Sequence, residues 1–228
     1  MNLAELWAEI EYEYSWRDEE IRFLENCTSG LRDEESKKRI RRATILMLYA
    51  HLEGFCVFSF RHFIRAINSE KIAAENASFA IAAAACSKVF AAMRDSNTKC
   101  ELFQNALPDD SKLHRIARDQ EFVERIAEVA GIQVELVDDI IDTESNLKPV
   151  VLRKNLFLLG LPNDAFKHLD GTIHRLLNLR NKIAHGERKD GIDSREFNVL
   201  KHAVREVMRD VKSLIMKHLA DQTFLRAT

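Results

Sequence analysis

The sequence predicts an all-α protein, a helical bundle with a long central helix and a long C-terminal helix. Glycine and proline are scarce, with only 7 and 3 copies in 228 residues, whereas average proteins contain about 7% glycine and about 5% proline. So few turn-forming residues cannot supply the many hairpins of an all-β fold. Apolar residues also recur at three- and four-residue intervals over most of the chain, which is the spacing of amphipathic helices.

The first two helices are predicted by this spacing and by the residues at their ends. An amphipathic helix begins near Leu3 and ends at the break over 28–30. A second helix begins at Asp33, where acidic side chains meet the positive end of the helix dipole. Its middle, residues 45–58, is apolar on nearly every side. We therefore expect this helix to lie at the centre of the bundle, covered by other helices or by a partner subunit.

The rest of the chain continues the helical pattern. The sequence predicts a helix over 70–93, a polar connection over 95–110, a short helix over 122–129, a helix over 149–159 capped by the loop 142–146, a helix ending at Gly186 and a terminal helix starting after Asp193. No internal repeat or linker-like stretch interrupts this pattern. We expect one domain spanning residues 1–228.

The charge and the known motifs limit the classes of function. A formal charge of −2 and a pI near 6.5 exclude a generally basic nucleic-acid binder, although a local basic patch is still possible. The sequence contains no phosphate loop, dinucleotide fingerprint, H-E-x-x-H helix or nucleophile elbow. Nucleotide-driven and zinc-hydrolase chemistry therefore lack support, and we expect neither a cofactor nor a metal site.

The cysteines and the apolar segments predict a location in the cell. Cys27, Cys56, Cys86 and Cys100 form no C-x-x-C pair and no zinc-ligand cluster, so we expect reduced thiols. Cys56 and Cys86 lie in apolar stretches and should pack in the core. No segment has the pattern of a signal peptide or the roughly 18 uninterrupted apolar residues of a membrane span. These features predict a cytoplasmic protein without a membrane partner.

The most informative segment is Asn178–Gly186, because it combines a permanent cation, a near-neutral titrating group and a helix stop. Arg180 and His185 differ by five positions, which on a helix means about 140° of rotation and about 7.5 Å of rise. They therefore cannot share one metal ion, but they can line a groove at a helix end, especially if a two-fold axis brings a second copy opposite. Arginine binds phosphate bidentately and histidine transfers protons near neutral pH, which suits phosphodiester cleavage. Alternatively, both are ordinary cations at a helix C-terminus.

Three segments resemble a known family. The run from Arg180 to His185, with Asn181 directly after the arginine, resembles the HEPN superfamily, whose signature is an arginine, four to six residues and a histidine. Residues 48–55, LYAHLEGF, and residues 143–147, TESNL, resemble the prokaryotic RiboL-PSP-HEPN branch of nucleases. Together the three segments span most of the chain in the order of that family.

The resemblance implies a helical bundle, a homodimer with facing Arg/His motifs, and metal-independent cleavage of RNA. Some members of the superfamily are inactive, and some only bind nucleotides or RNA. Toxins that pair with nucleotidyltransferase antitoxins carry a tyrosine two residues after the motif histidine, whereas this chain has Glu187. Regulation by nucleotide attachment at that position is therefore not expected.

Further residues are candidates for the site. A carboxylate in an apolar helix is costly unless it is paired, so Glu53 either orients Arg180 or lies on a solvent-facing edge. Tyr49 lies one turn before Glu53 and can share its face. Asn181 either touches a phosphate, caps the site or is a surface amide. The basic residues that we expect to contact RNA, unless they form a self-paired helix face, are Lys37, Lys38, Arg41, Arg42 and Lys182.

Two hypotheses follow from the sequence. The first is a metal-independent endoribonuclease, a toxin or a defence or stress effector, in which the RNA 2′-hydroxyl attacks the phosphorus. Arg180, His185, Asn181 and Glu53 would form its catalytic set, and Tyr49 would help to bind RNA. An antitoxin or the product of a neighbouring gene is a possible partner. The alternative is a catalytically inactive helical dimer that binds RNA or a partner protein.

Overall fold

A computed structural model describes residues 2–95 and 112–226, and this part of the chain contains eight α-helices and no strand. The helices are α1 Leu3–Ser29, α2 Glu34–Ser69, α3 Phe79–Ala85, α4 Ser87–Arg94, α5 Lys112–Val129, α6 Pro149–Leu158, α7 Asp170–Ala184 and α8 Ser194–Ala220. The predicted all-α class is thus confirmed, as are the long second helix and the long terminal helix.

Helix α2 is the centre of the bundle, as the sequence predicts. It is 36 residues long and packs against α1, α7 and α8. Asp33 caps its first turn, because its side-chain oxygen accepts a hydrogen bond from the Ser36 backbone N–H at 2.7 Å. Fully buried aromatic and aliphatic side chains along α2 join one continuous core with α7 and α8. The sulfur of Cys56 lies in this core, and Cys86 is also buried, as expected; Cys100 lies outside the described residues.

Helix α2 is also the one described helix that is long and apolar enough to cross a membrane. However, 56% of its most apolar 18-residue window is buried inside the bundle. The core helix of a soluble bundle meets the same two criteria of length and composition. Its hydropathy is therefore explained by its neighbours α1, α7 and α8.

Ion pairs between α1 and α8 close the side of the bundle. Arg205 of α8 donates to Asp18 of α1 at 2.6 Å, and Lys212 of α8 donates to Glu11 of α1 at 2.5 Å. Asp18 is itself only 6% exposed, so its charge is screened little by solvent. These contacts fix α8 along the first helix, while α8 also packs against α2 and α7.

The segment after α2 differs from its prediction. The chain leaves the helix at Glu70, Lys71 has a left-handed φ of 50°, and Ala73 forms an isolated bridge with Gln133. The backbone N–H of Val134 donates to the Ile72 carbonyl at 2.8 Å, so tertiary pairing overrides the helix propensity of the alanines. Helix therefore occupies only the later part of the predicted range 70–93.

Three other boundaries also differ or remain open. The polar connection predicted over 95–110 lies, except for its first residue, outside the described residues. Helix α5 starts at Lys112 and is longer than the predicted 122–129. The loop before α6 does not cap that helix, because Lys148 is the N-cap and makes no side-chain cap bond.

Candidate functional site

The three segments that resemble the family come together on one side of α2. The Tyr49 hydroxyl on α2 accepts a hydrogen bond from the Leu147 backbone N–H at 2.6 Å. Asn146, one residue earlier in that turn, accepts a bond from Arg180 of α7 at 3.0 Å. The guanidinium carbon of Arg180 lies 4.6 Å from the centroid of the Tyr49 ring. Each pair among α2, the turn and α7 is therefore joined by a direct contact.

Arg180 is held on one nitrogen and on one face. Its Nη1 donates to the side-chain oxygens of Asn146, at 3.0 Å, and Asn181, at 2.7 Å. Its Nε and Nη2 donate to no residue in the described ranges, and the side chain is only half-buried. A guanidinium has five N–H donors in a planar fork. The free edge of this fork is therefore available to an anion such as a phosphate.

Tyr49 supports this arginine from inside the bundle. Its side chain is 1% exposed, and burial together with the negative charge of Glu53 raises its pKa to about 12, while the Leu147 hydrogen bond and Arg180 act in the opposite direction. The phenol thus stays neutral near neutral pH. The contact of Tyr49 with RNA stays a prediction; within the chain its ring faces Arg180 and its hydroxyl accepts from the Leu147 N–H.

Of the two alternatives for Glu53, the ion pair with Arg180 is not formed. No oxygen of Glu53 lies within 4.0 Å of a nitrogen of Arg180, although both residues are described. The negative charge of Glu53 instead contributes, after burial, to the raised pKa of the Tyr49 hydroxyl. The Tyr49 ring, one turn before Glu53 on α2, lies against the guanidinium, and neutral amide oxygens accept from its Nη1. Glu53 is half-buried.

The turn over 143–146 has an unusual backbone. Glu144 and Ser145 have φ angles of 49° and 66°, in the left-handed region that side chains other than glycine rarely adopt. The Asn146 N–H donates to the Thr143 carbonyl at 2.8 Å and closes the turn. Such strain persists only where the surroundings determine the conformation, and it is often found at functional sites.

His185 is the C-cap of α7 and is exposed. The next residue, Gly186, has a φ of 73°, and the Glu187 N–H returns to the Lys182 carbonyl at 2.8 Å. This is the glycine-dependent helix end known as the Schellman motif. The His185 ring forms no hydrogen bond with the described residues, so it is open to solvent at the end of the helix that carries Arg180. Lys182, which we expect to contact RNA, is exposed beside it.

The basic run of α2 lies next to the loop that follows His185. Arg42 donates to the Lys189 carbonyl, and the Ile192 N–H donates to the Lys38 carbonyl at 3.0 Å. Helix α2 thus runs antiparallel to α7, with its basic first turns near the histidine end. Arg41, however, pairs with Glu34 at 2.6 Å and is 11% exposed.

The pairing within the run is only partly as predicted. Arg39 pairs with Glu35 at 3.4 Å, as the i, i+4 spacing predicts. Glu34 pairs with Arg41 instead of Lys38, and this hydrogen bond lowers the pKa of Glu34. Lys37 and Lys38 are half-buried and have no acidic partner among the described residues. Lysines 37 and 38 therefore remain candidates for phosphate contact, whereas Arg41 is already neutralised.

The contacts of two amides are not predicted from the sequence. The sequence predicts a loop over 142–146 but gives Asn146 no contact with Arg180. It also does not single out Asn155, which is fully buried and exchanges two hydrogen bonds with the Asp142 backbone, at 3.0 and 3.4 Å. An asparagine in an otherwise apolar helix was the available signal, since a buried amide needs partners.

A helical bundle with an Arg–His motif at the end of a helix is the arrangement of the HEPN superfamily. Within it, the family model of RiboL-PSP-HEPN matches residues 12–217, and the chain belongs to this family. No curated protein and no solved structure matches the chain. The family match covers all three segments that form the site.

Proposed function

We propose that the protein is a metal-independent endoribonuclease whose reacting groups are Arg180 and His185. The observation that supports it best is the set of contacts of Arg180. Its Nη1 donates to two amides and one face of its guanidinium lies on the Tyr49 ring, while Nε and Nη2 make no hydrogen bond among the described residues. That orientation suits a phosphodiester. Membership of the RiboL-PSP-HEPN family supports the class of reaction.

In the proposed reaction the RNA 2′-hydroxyl attacks the adjacent phosphorus. The bond from the 2′-oxygen to phosphorus forms, and the bond from phosphorus to the 5′-oxygen breaks. The proton of the 2′-hydroxyl is removed and the 5′-oxygen is protonated; His185 carries out one or both transfers, and water carries out the one that His185 does not. Arg180 stabilises the charge on the pentacoordinate phosphorus. The products are a 2′,3′-cyclic phosphate and a free 5′-hydroxyl.

The RNA backbone is proposed to follow the basic residues beside the motif. Lys182 is exposed one turn before the helix end, and the Arg42 side chain reaches the loop after His185. Lys37 and Lys38 extend this basic surface along α2. Such contacts release counterions, so binding weakens as salt concentration increases. Asn181 also keeps its NH2 group free among the described contacts and can donate to a phosphate oxygen.

A homodimer is proposed as the active form. One chain presents Arg180 and His185 about 140° apart around α7, so a single chain does not direct both at one phosphate. The outward side of α2 is apolar over exposed Ile40, Ala43, Met47 and Ala50. Light scattering should give twice 26.3 kDa. Met47→Glu should reduce this mass, whereas Val199→Glu, at an exposed position of α8, should leave it unchanged.

A monomer at micromolar concentration that still cleaves RNA would rule out a composite site.

In the cell, a cytoplasmic toxin or a defence or stress effector fits an enzyme that destroys RNA, and an antitoxin from a neighbouring gene would be its regulator. This role is tested by co-expressing the neighbouring gene, which should restore growth to cells that produce the protein.

The activity is tested with single-stranded RNA in the presence of EDTA. We expect cleavage to continue under chelation and to leave a 2′,3′-cyclic phosphate. His185→Ala should abolish cleavage with little change in melting temperature. His174→Ala is the matched control, because His174 is exposed on the same helix and distant from its end. Strict dependence on Mg²⁺, or activity that survives His185→Ala, would contradict the mechanism.

The second candidate, an inactive dimer that binds RNA or a protein, predicts a different result. Labelled RNA would then bind with a salt-dependent affinity, and no product would appear under any condition. Arg180→Ala would weaken that binding, whereas His185→Ala would not.

A further inference from the structure

We propose that Asn146 is the positioning residue of the site, a neutral clamp that turns the free edge of Arg180 toward the phosphate. This inference rests on the proposed function of Arg180. Its basis is the 3.0 Å hydrogen bond from Arg180 Nη1 to the Asn146 side-chain oxygen. This bond joins residues 34 positions apart, so it depends on the tertiary fold and not on a shared helix.

The donors of Arg180 show why the clamp fixes an orientation. Nη1 carries two hydrogens, and the two amide oxygens of Asn146 and Asn181 account for both. The Tyr49 ring covers one face of the guanidinium. A planar group held on a face and on one nitrogen cannot rotate freely about its long axis. The edge formed by Nε and Nη2 is therefore fixed in direction before RNA binds, which is the preorganisation that catalysis requires.

The turn that carries Asn146 is itself anchored at three points. Leu147 donates to Tyr49 at 2.6 Å, Asn155 holds the Asp142 backbone, and Lys154 pairs with Glu144 at 2.7 Å. The left-handed Glu144 and Ser145 bring Asn146 back toward α7. The position of the Asn146 oxygen is thus set by α2 and α6 and not by Arg180. This independence is what distinguishes a clamp from an incidental contact.

The neutrality of the clamp is the second part of the inference. A carboxylate at position 146 would accept the same hydrogen bond, and it would attract the guanidinium more strongly. It would also compensate the positive charge that must attract the phosphate. An amide orients the arginine and leaves its charge available to the RNA. Asn146→Asp therefore separates orientation from charge, because aspartate has the shape of asparagine.

The experiment compares Asn146→Ala, Asn146→Asp and the control Asn163→Ala, whose amide is exposed and makes no hydrogen bond among the described residues. Cleavage is measured as kcat and KM on single-stranded RNA. We expect Asn146→Ala to lower kcat by about 10²-fold, since small misplacements of a reacting group have effects of this order. Asn146→Asp should raise KM and weaken binding of labelled RNA at unchanged melting temperature. Asn163→Ala should match the parent chain.

A readout independent of cleavage is the ¹⁵N NMR signal of the Arg180 guanidinium in the absence of RNA. Hydrogen-bonded Nη1 hydrogens exchange slowly and give separate signals. These signals are assigned to Arg180 because they disappear in the Arg180→Lys variant. In Asn146→Ala these signals should merge, and they should stay separate in Asn146→Asp. If the parent chain cleaves no RNA, the proposed function fails, but this spectrum and RNA binding still decide the role of Asn146.

Two results would overturn the inference. One is an Asn146→Ala variant that loses melting temperature but retains kcat, KM and the separate Arg180 signals, because Asn146 would then only stabilise the turn. The other is an Asn146→Asp variant that binds and cleaves RNA like the parent chain, because the neutrality of the clamp would then have no function. In an Arg180→Ala background, Asn146→Ala should have no further effect on cleavage.

Discussion

The guanidinium of Arg180 lies over the ring of Tyr49, with its central carbon 4.6 Å from the ring centroid. The ring is buried in the bundle, while the arginine is half-buried above it. A cation over an aromatic face is stabilised by the ring quadrupole, by about 0.5–2 kcal/mol depending on exposure. This contact thus gives a charged group a fixed position at the edge of the core without neutralising it.

The first prediction concerns the chemistry of that cation. Arg180→Lys should reduce cleavage nearly as much as Arg180→Ala, by about 10²-fold or more, as for removal of a donor to a developing oxyanion. A lysine keeps the charge but cannot bind both amides, cover the ring and present two further donors. The measurement is kcat/KM on single-stranded RNA. Near-normal cleavage by the lysine variant would mean that only positive charge is needed at this position.

The second prediction is a pH dependence of stability. In the folded protein burial raises the pKa of Tyr49 to about 12, from an ordinary value of 10.0. Folding therefore favours the neutral phenol. The resulting stability is fully present below pH 10.0 and is lost as the pH rises toward about 12. Tyr49→Phe should lose less stability over that range than the parent chain, as measured by urea unfolding at several pH values.

The same variant should be less stable at neutral pH. Phenylalanine leaves the buried Leu147 N–H without an acceptor, which costs about 1–3 kcal/mol. Tyr12→Phe is the control, since the Tyr12 side chain is 73% exposed. If Tyr49→Phe and the parent chain respond equally to alkaline pH, the phenol does not titrate with folding as the structure implies.

The fold was largely predictable, because helical periodicity is a local property of the sequence. The starts of α2 and α8 are marked by Asp33 and Asp193, whose side chains cap the first turns as N-cap chemistry requires. The loss of helix over 71–73 was not predictable, since it depends on pairing with residues near Gln133, far along the chain. Alanine-rich sequence indicates helix, and only a tertiary contact overrides it.

The candidate site residues can be named from the sequence, but their contacts cannot. The spacing of the motif singles out Arg180, Asn181 and His185 as candidates. Which group faces Arg180 depends on how α2, a turn and α7 pack, and no sequence pattern specifies that. Charge alone suggested Glu53, whereas the structure supplies the amide of Asn146.

The third prediction concerns the helix end that presents His185. Gly186 has a φ of 73°, and an alanine in this conformation costs about 1–2 kcal/mol. Gly186→Ala should therefore lower the free energy of unfolding by that amount, and it should reduce cleavage by moving His185. The measurements are urea unfolding and single-turnover cleavage.

Gly171 is the matched control on the same helix. It lies in the first turn of α7, and an added methyl group would meet no atom within 4 Å. Gly171→Ala should stabilise the chain by about 0.5–1 kcal/mol, because alanine has the higher helix propensity. Equal effects of the two substitutions would show that the left-handed helix end is not formed in solution.

The last prediction is that Glu53 acts on the Tyr49 hydroxyl and does not pair with Arg180. The charge of Glu53 raises the pKa of the Tyr49 hydroxyl, while Arg180 lowers it. Glu53→Gln should therefore lower the Tyr49 pKa, as measured by the ultraviolet absorbance of the phenolate. In a double-mutant cycle on cleavage, Glu53→Gln and Arg180→Lys should couple only weakly, because the two residues make no ion pair and share only Tyr49 as a partner.

By contrast, Glu53→Gln and Tyr49→Phe should couple more strongly, by about 0.5–3 kcal/mol in unfolding free energy, since the charge of Glu53 raises the pKa of the Tyr49 hydroxyl. The effect of Glu53 on cleavage then passes through the tyrosine that carries the arginine and anchors Leu147. A strong coupling between Glu53 and Arg180, together with an unchanged Tyr49 pKa in Glu53→Gln, would instead require a direct ion pair. Such a pair would move Arg180 off the Tyr49 ring and away from Asn146, so the clamp and the indirect role of Glu53 would have to be abandoned together.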